Sequence, residues 1–191
     1  MKKIGLTGSI GAGKSTVTTW LRVNGIAVHD ADLAVREIYA RPEVIAWVRE
    51  NFAEAAAGNA VDRGLLAEII YGDEEKRWQL ESYIHPLVAA HRAEFLAAAE
   101  SAGEAMVVCD IPLLFETNIQ EEFDETWLVT APRELRMART LTRPQMSEEK
   151  FMRIDATQMP ERGKRELADH IIENNGDLHA LHQKLNKLIH V

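Results

Sequence analysis

The sequence predicts an α/β fold built on a five-stranded parallel sheet with helices on both faces. Two observations carry this. Five short, mostly apolar segments alternate with helical patterns, which is the order a parallel sheet with crossover helices requires. The first of these segments runs into Gly8-Ser9-Ile10-Gly11-Ala12-Gly13-Lys14-Ser15, and a helical pattern begins directly after it. Strand, glycine-rich turn and helix in that order form one structural unit.

The five strand candidates are Lys3 to Thr7, Ile26 to Asp30, Ala105 to Asp110, Glu125 to Thr130 and His170 to Glu173. The helix after the first is marked by Val17, Trp20 and Leu21 at helical spacing. About 75 residues separate the second and third strands, far more than one crossover needs. That stretch reads as a helical insert of about 42–101, with helices at Glu43 to Phe52, Leu65 to Tyr71 and Glu74 to Ser101, and a loop over Ala53 to Ala60. Pro86 should end or kink the last of these helices near His85. A second insertion, about 132–166, carries Arg136, Arg139 and Arg143 at i, i+3, i+7 spacing, hence on one helix face. Pro144 stops that helix, and Ser147 is placed to cap the next. Two short helices joined at a proline suggest a mobile lid. The core is then about 1–41, 102–131 and 167–191. It ends in an amphipathic helix with Leu178, Leu181, Leu185, Leu188 and Ile189.

With 191 residues the chain is one ordinary domain carrying inserts. Its formal net charge of −8 argues against a nucleic-acid-coating surface. No apolar run approaches the ~20 residues needed to span a membrane. Lys2 and Lys3 imitate the start of a signal peptide, but the apolar stretch after them breaks at the glycine-rich turn. The single cysteine, Cys109, cannot form an internal disulfide, so a reducing, cytoplasmic setting is expected. Cys109 reads as a small buried strand residue rather than a nucleophile.

The glycine-rich turn is a complete GxxxxGK[S/T] phosphate-binding loop, so the fold is expected to be a three-layer P-loop NTPase. Gly8, Gly11 and Gly13 allow the main chain to turn sharply and approach a ligand. The amides from Gly11 to Thr16 then form an anion cradle at a helix N-terminus. Lys14 reaches the β- and γ-phosphates, and the Ser15 hydroxyl is a ligand for Mg²⁺. Asp30 and Asp32 close the second strand at the sheet edge where ligands gather. One carboxylate there could take a proton from an attacking hydroxyl, and Asp32 is the candidate, though either aspartate could simply cap the helix starting near Leu33; Asp30 reads as a helix cap or a supporting group. Asp110 ends the third strand, either holding the metal or as a polar strand terminus. Arg139 and Arg143 are either solvated helix charges or phosphate contacts from the lid. His85 is either a helix-end histidine or a substrate contact. No N-K-x-D guanine signature, zinc spacing, GxSxG or H-R-D signature is present.

Taken in order, these motifs resemble the dephospho-CoA kinase family over almost the whole chain. The loop from Ile4 to Thr16, Asp30-Ala31-Asp32, His85-Pro86-Leu87 and Asp110-Ile111-Pro112-Leu113-Leu114-Phe115-Glu116 match the family's motifs. So do Arg139 and Arg143, Gln158, and Ala168-Asp169 through Asn174-Asn175-Gly176. After Glu116 the family often has a basic residue, where this chain has Glu121 and Glu122. The resemblance implies ATP-dependent phosphorylation of the ribose 3′-hydroxyl of dephospho-coenzyme A, with Mg²⁺, by a core, a CoA-binding helical insert and a lid. It implies that Asp32 is the general base, that the 74–101 helices help hold the acceptor, and that Asn174 to Gly176 lie near adenine. No nucleic-acid or membrane partner is implied, and a monomer or small homo-oligomer is expected. Two rivals share the loop: another small-molecule or nucleoside monophosphate kinase, and a non-enzymatic ATP-binding regulator. An acceptor screen for ADP release separates the three.

Overall fold

A computed structural model of the chain describes residues 1–189. Five strands, β1 (Lys2–Thr7), β2 (Ala27–Asp30), β5 (Met106–Asp110), β6 (Glu125–Thr130) and β7 (His170–Glu173), form one parallel sheet in the order β2-β5-β1-β6-β7. The expected α/β sheet is therefore present, with each strand within one residue of its expected bounds. β1 lies at the centre of the sheet, and its residues from Ile4 to Thr7 are all buried. Ile4 and Leu6 enter one core with Val108, Trp127, Val129 and Ile172. Gly5 points the other way, against Leu114 and Phe123. Helices α1 (Lys14–Val23) and α9 (Leu178–Ile189) close the first face through Val17, Leu21, Leu181 and Leu185, all buried.

The chain separates into two compact units: Met1–His29 with the described residues from Ala99 on, and Asp30–Ala98. The second unit holds α2 (Ala31–Tyr39), α3 (Pro42–Asn51), α4 (Arg63–Ile70) and most of α5 (Glu74–Ser101). Its own core gathers Ile38, Val44, Val48, Phe52, Leu66, Leu80 and Ile84. Trp47 stacks on Tyr83 with ring centroids 4.1 Å apart, adding an offset aromatic contact to that core.

The structure changes two expectations about this unit. Pro86 does not end the helix: α5 continues through it from Glu74 to Ser101. Pro86 lacks an N–H for the Ser82 carbonyl, but both residues are exposed, so water can take that acceptor. The stretch read as a loop contains a two-strand antiparallel hairpin, β3 (Ala56–Ala57) with β4 (Ala60–Val61), turned at Gly58 with φ +56°. Asp30, by contrast, caps α2 as expected, its Oδ1 accepting from Leu33 N–H at 3.0 Å.

The remaining helices of the first unit are α6 (Arg133–Leu141), α7 (Glu148–Thr157) and α8 (Glu161–Leu167). Ser147 Oγ accepts from Lys150 N–H, the expected cap of α7. α8 is tied to the sheet beneath it. Asp169 Oδ2 accepts from both the amide and the hydroxyl of Thr126 at 2.8 Å, and these bonds hold the Asp169 carboxyl below the usual carboxylate range. Lys164 of α8 is fully buried with its Nζ 2.9 Å from Glu116 Oε1. Cys109 is buried in β5, as expected of a small strand residue. No helix among the described residues is long and apolar enough to cross a membrane.

Candidate active site

The phosphate loop joins β1 to α1. Gly13 stands at the N-cap of α1 with φ +96°, and Gly11 has φ +78°. A Cβ on Gly11 would overlap the Arg136 carbonyl, and one on Gly13 would overlap the Asn174 side chain. Both glycines are thus required by backbone angle and by close approach. α1 carries no acidic residue in its first turn, so its positive end is left to an anion.

Lys14 opens α1, and its Nζ lies 3.7 Å from Asp110 Oδ1. The register explains the meeting. Leu6 of β1 is paired with Asp110 of β5, so β5 ends beside the strand that enters the loop. Both side chains are mostly buried. Ser15 and Thr16 follow in the first turn of α1, Ser15 exposed. Ser15 and Asp110 offer hard oxygen donors, and among the described residues no cluster of three or more His, Cys, Asp or Glu could cage an ion. Hard oxygen donors of this kind fit Mg²⁺, which keeps waters and takes substrate oxygens.

Asp32 lies in the first turn of α2, in the second unit, with its side chain exposed two residues beyond the end of β2. His85 is also in that unit, exposed on α5 beside Pro86.

The expected lid differs in detail. α6 packs directly on the phosphate loop, with Arg136 and Thr140 buried. Arg136, which the sequence left as one of several helix charges, bonds Asp155 Oδ1 at 2.7 Å and the Ile10 carbonyl at 3.2 Å. Arg133 Nε reaches the other Asp155 oxygen at 2.9 Å. Burial alone would raise the Asp155 carboxyl, but the hydrogen bonds and charges of these two arginines outweigh it and hold it low. Arg139 Nη1 donates to the Asn174 carbonyl at 3.0 Å. Arg143 does not share the helix face with Arg136 and Arg139. α6 ends at Leu141, where the Thr142 hydroxyl bonds the Arg139 carbonyl, and Arg143 stands exposed in the turn before Pro144.

Asn174, expected near adenine, donates its side-chain amide to the Ala12 carbonyl at 2.9 Å and is buried. Gly176 lies in the turn that follows β7. A cavity of about 470 Å³ adjoins the loop, lined among others by Ser9, Thr130, Pro132, Arg136, Met159 and Asn175. That volume is within the ordinary range of small-molecule sites. Gln158, known from the sequence only as a motif residue, accepts the Ile10 N–H at 2.9 Å. Arg136 and Asp155 were missed because nothing in the charge pattern separates a buried arginine from its solvated neighbours.

Residues 2–180 match the family model described as dephospho-CoA kinase. The chain belongs to the dephospho-CoA kinase family. It is 41% identical over 189 residues to the dephospho-CoA kinase of Bartonella quintana (strain Toulouse), covering 99% of this chain and 97% of that protein. A crystal structure from Thermus thermophilus superposes with a TM-score of 0.89 at 36% identity, covering 98% of this chain and 96% of that one. The dephospho-CoA kinase from Campylobacter jejuni superposes with a TM-score of 0.75 at 26% identity, covering 99% and 96%. Membership makes the chain a transferase of the kinase type.

Proposed function

We propose that this chain transfers the γ-phosphoryl group of ATP to the ribose 3′-hydroxyl of dephospho-CoA, releasing CoA and ADP in the last step of CoA synthesis. The observation that carries this is Lys14 beside Asp110 at the mouth of a complete phosphate loop, in a chain of this family. Lys14 holds the β- and γ-phosphates, and the amides of Gly11, Gly13, Lys14 and Ser15 surround them. Ser15 and Asp110 are the residues that would hold Mg²⁺; when bound, that ion would neutralise charge on the phosphate oxygens. Asp110 also balances the Lys14 ammonium, keeping the side chain turned toward the sheet edge.

Asp32 is the general base. Its exposed carboxylate orients the acceptor hydroxyl and takes its proton as the phosphoryl group departs from ADP. The second unit supplies the acceptor surface, with His85 as a contact. The Asn175–Gly176 turn and the adjoining cavity receive adenine. Arg143, in the exposed turn between α6 and α7, brings positive charge to the transferring group, where a guanidinium is most useful once water is excluded. Arg139 adds charge beside the loop while anchoring Asn174. Positioning and charge stabilisation provide most of the acceleration. The test is ADP release with dephospho-CoA, compared with AMP and simple alcohols. Turnover with AMP and none with dephospho-CoA would make the chain a nucleotide kinase instead.

A further inference from the structure

Three side chains from distant parts of the first unit bond the backbone of the phosphate loop. Gln158 Oε1 accepts from the Ile10 N–H at 2.9 Å. Arg136 Nη1 donates to the Ile10 carbonyl at 3.2 Å. Asn174 Nδ2 donates to the Ala12 carbonyl at 2.9 Å. Within the loop the Ser9 carbonyl accepts from the Ala12 N–H at 3.0 Å.

A trans peptide is planar, so the N–H of one residue points opposite to the C=O of the residue before it. All peptides among the described residues are trans. Holding the Ile10 carbonyl toward Arg136 therefore turns the Gly11 N–H the other way. Holding the Ala12 carbonyl toward Asn174 does the same for the Gly13 N–H. Gln158 and the Ser9–Ala12 turn fix the peptide between Ser9 and Ile10 at both its polar ends. Glycine would otherwise let these planes rotate, since residues 11 and 13 carry no side chain to restrict them.

We propose that Arg136, Asn174 and Gln158 are positioning residues for the phosphates of ATP: Arg136 and Asn174 aim the Gly11 and Gly13 amides, and Gln158 fixes the Ser9–Ile10 peptide that leads into them. The inference rests on the reading of this loop as the ATP site. None of the three needs to touch the nucleotide to act. Each is itself held. Arg136 is buried, paired with Asp155 and 5.9 Å from the Phe151 ring. Asn174 is fixed by its own amide on the Thr130 carbonyl at 2.8 Å and by Arg139 on its carbonyl. The clamp thus makes the loop's anion cradle ready before ligand arrives, so less ordering is needed on binding.

The test uses the full chain with Gln158→Leu, Gln158→Glu and Asn174→Ala. Arg136 is left intact, because its removal would also take from Asp155 one of its two guanidinium partners. Gln158→Leu removes the acceptor, and Gln158→Glu keeps one. ATP affinity by titration calorimetry and steady-state KM for both substrates are measured with thermal midpoints. Loss of one of these hydrogen bonds should weaken ATP roughly three- to tenfold in Gln158→Leu and in Asn174→Ala, while KM for dephospho-CoA stays within about twofold. Gln158→Glu should stay within about twofold of wild type for ATP, since a carboxylate also accepts the Ile10 N–H. The proposal is overturned if both single removals bind ATP normally, if Gln158→Glu is as impaired as Gln158→Leu, or if both KM values rise together. Lys14→Ala runs alongside. If it keeps full turnover, the ATP-site reading itself fails; if it loses turnover while the clamp variants bind ATP normally, only the clamp fails.

Discussion

Lys164→Met should destabilise the first unit heavily although Lys164 touches no expected substrate. The Lys164 side chain has no exposed surface, and its Nζ is 2.9 Å from Glu116 Oε1. The same oxygen accepts the Met159 N–H at 2.8 Å, and Glu116 Oε2 is buried with no hydrogen-bond partner among the described residues. Methionine refills the lysine's volume, so the change is nearly one of charge alone. Glu116 would be left as a mostly buried carboxylate with one amide for company. Breaking a buried pair from one side costs about 3–5 kcal/mol. The partial exposure of Glu116 puts the expected loss near the lower end, about 3 kcal/mol. For a chain of this length that is a fall in melting temperature of roughly 6–12 °C. Pairing Lys164→Met with Glu116→Gln removes the stranded charge and keeps an acceptor for Met159. The double variant should therefore recover most of the loss. Urea denaturation of wild type, both single variants and the double closes the cycle. A single-variant loss below about 1 kcal/mol, or a double variant no more stable than Lys164→Met alone, refutes the argument.

Further outcomes follow from the same geometry. Lys14→Ala should keep the fold, judged by circular dichroism, and lose ADP-release turnover by orders of magnitude, roughly the scale of losing a phosphate-bridging charge. Asp32→Asn should bind ATP as wild type does yet transfer phosphate far more slowly, whereas Asp30→Asn should be milder because asparagine also caps a helix; the reverse pattern would move the base to Asp30. Arg143→Ala should cut turnover strongly with no change in melting temperature, since the side chain is exposed and outside α6. Asp155 and Asp169 have carboxyls held low in the folded state, so their contribution is complete above the ordinary carboxylate range and is lost as pH falls through the lowered values. Asp169→Asn should flatten the acid limb of a stability–pH curve, and an unchanged limb would contradict the assignment.

What was legible in the sequence was local. The strands declare themselves by short apolar runs, and Asp30 and Ser147 by standing before helical patterns with oxygen side chains. The loop declares itself because glycine spacing and the lysine leave little else it could be. Pro86 does not end its helix, because the carbonyl that proline abandons lies where solvent can reach it. The three bonds to the loop backbone span 148, 126 and 162 residues of chain. No periodicity encodes a contact at that range. Gln158 and Asn174 could be named as motif residues, but what they hold appears only when β7 and the end of α7 are brought beside the loop. Arg136 looked like its neighbours Arg133 and Arg139 until the fold buried it.

The central place of β1 has a consequence for how the chain comes into being. Lys2 pairs with Met106, and Ile4 with Glu125, so β1 has neither neighbour until the chain has grown on to β5 and β6. At about 5–20 residues per second, the residues of β1 wait many seconds in an open, unpaired condition. Residues 30–98 gather a core from segments close in sequence and face no such delay. Asn174 must arrive before Ala12 is held, and it lies 162 residues further along the chain. The nucleotide cradle is therefore complete only once β7 has been made, so a nascent chain short of that point carries its motif without a working grip on ATP.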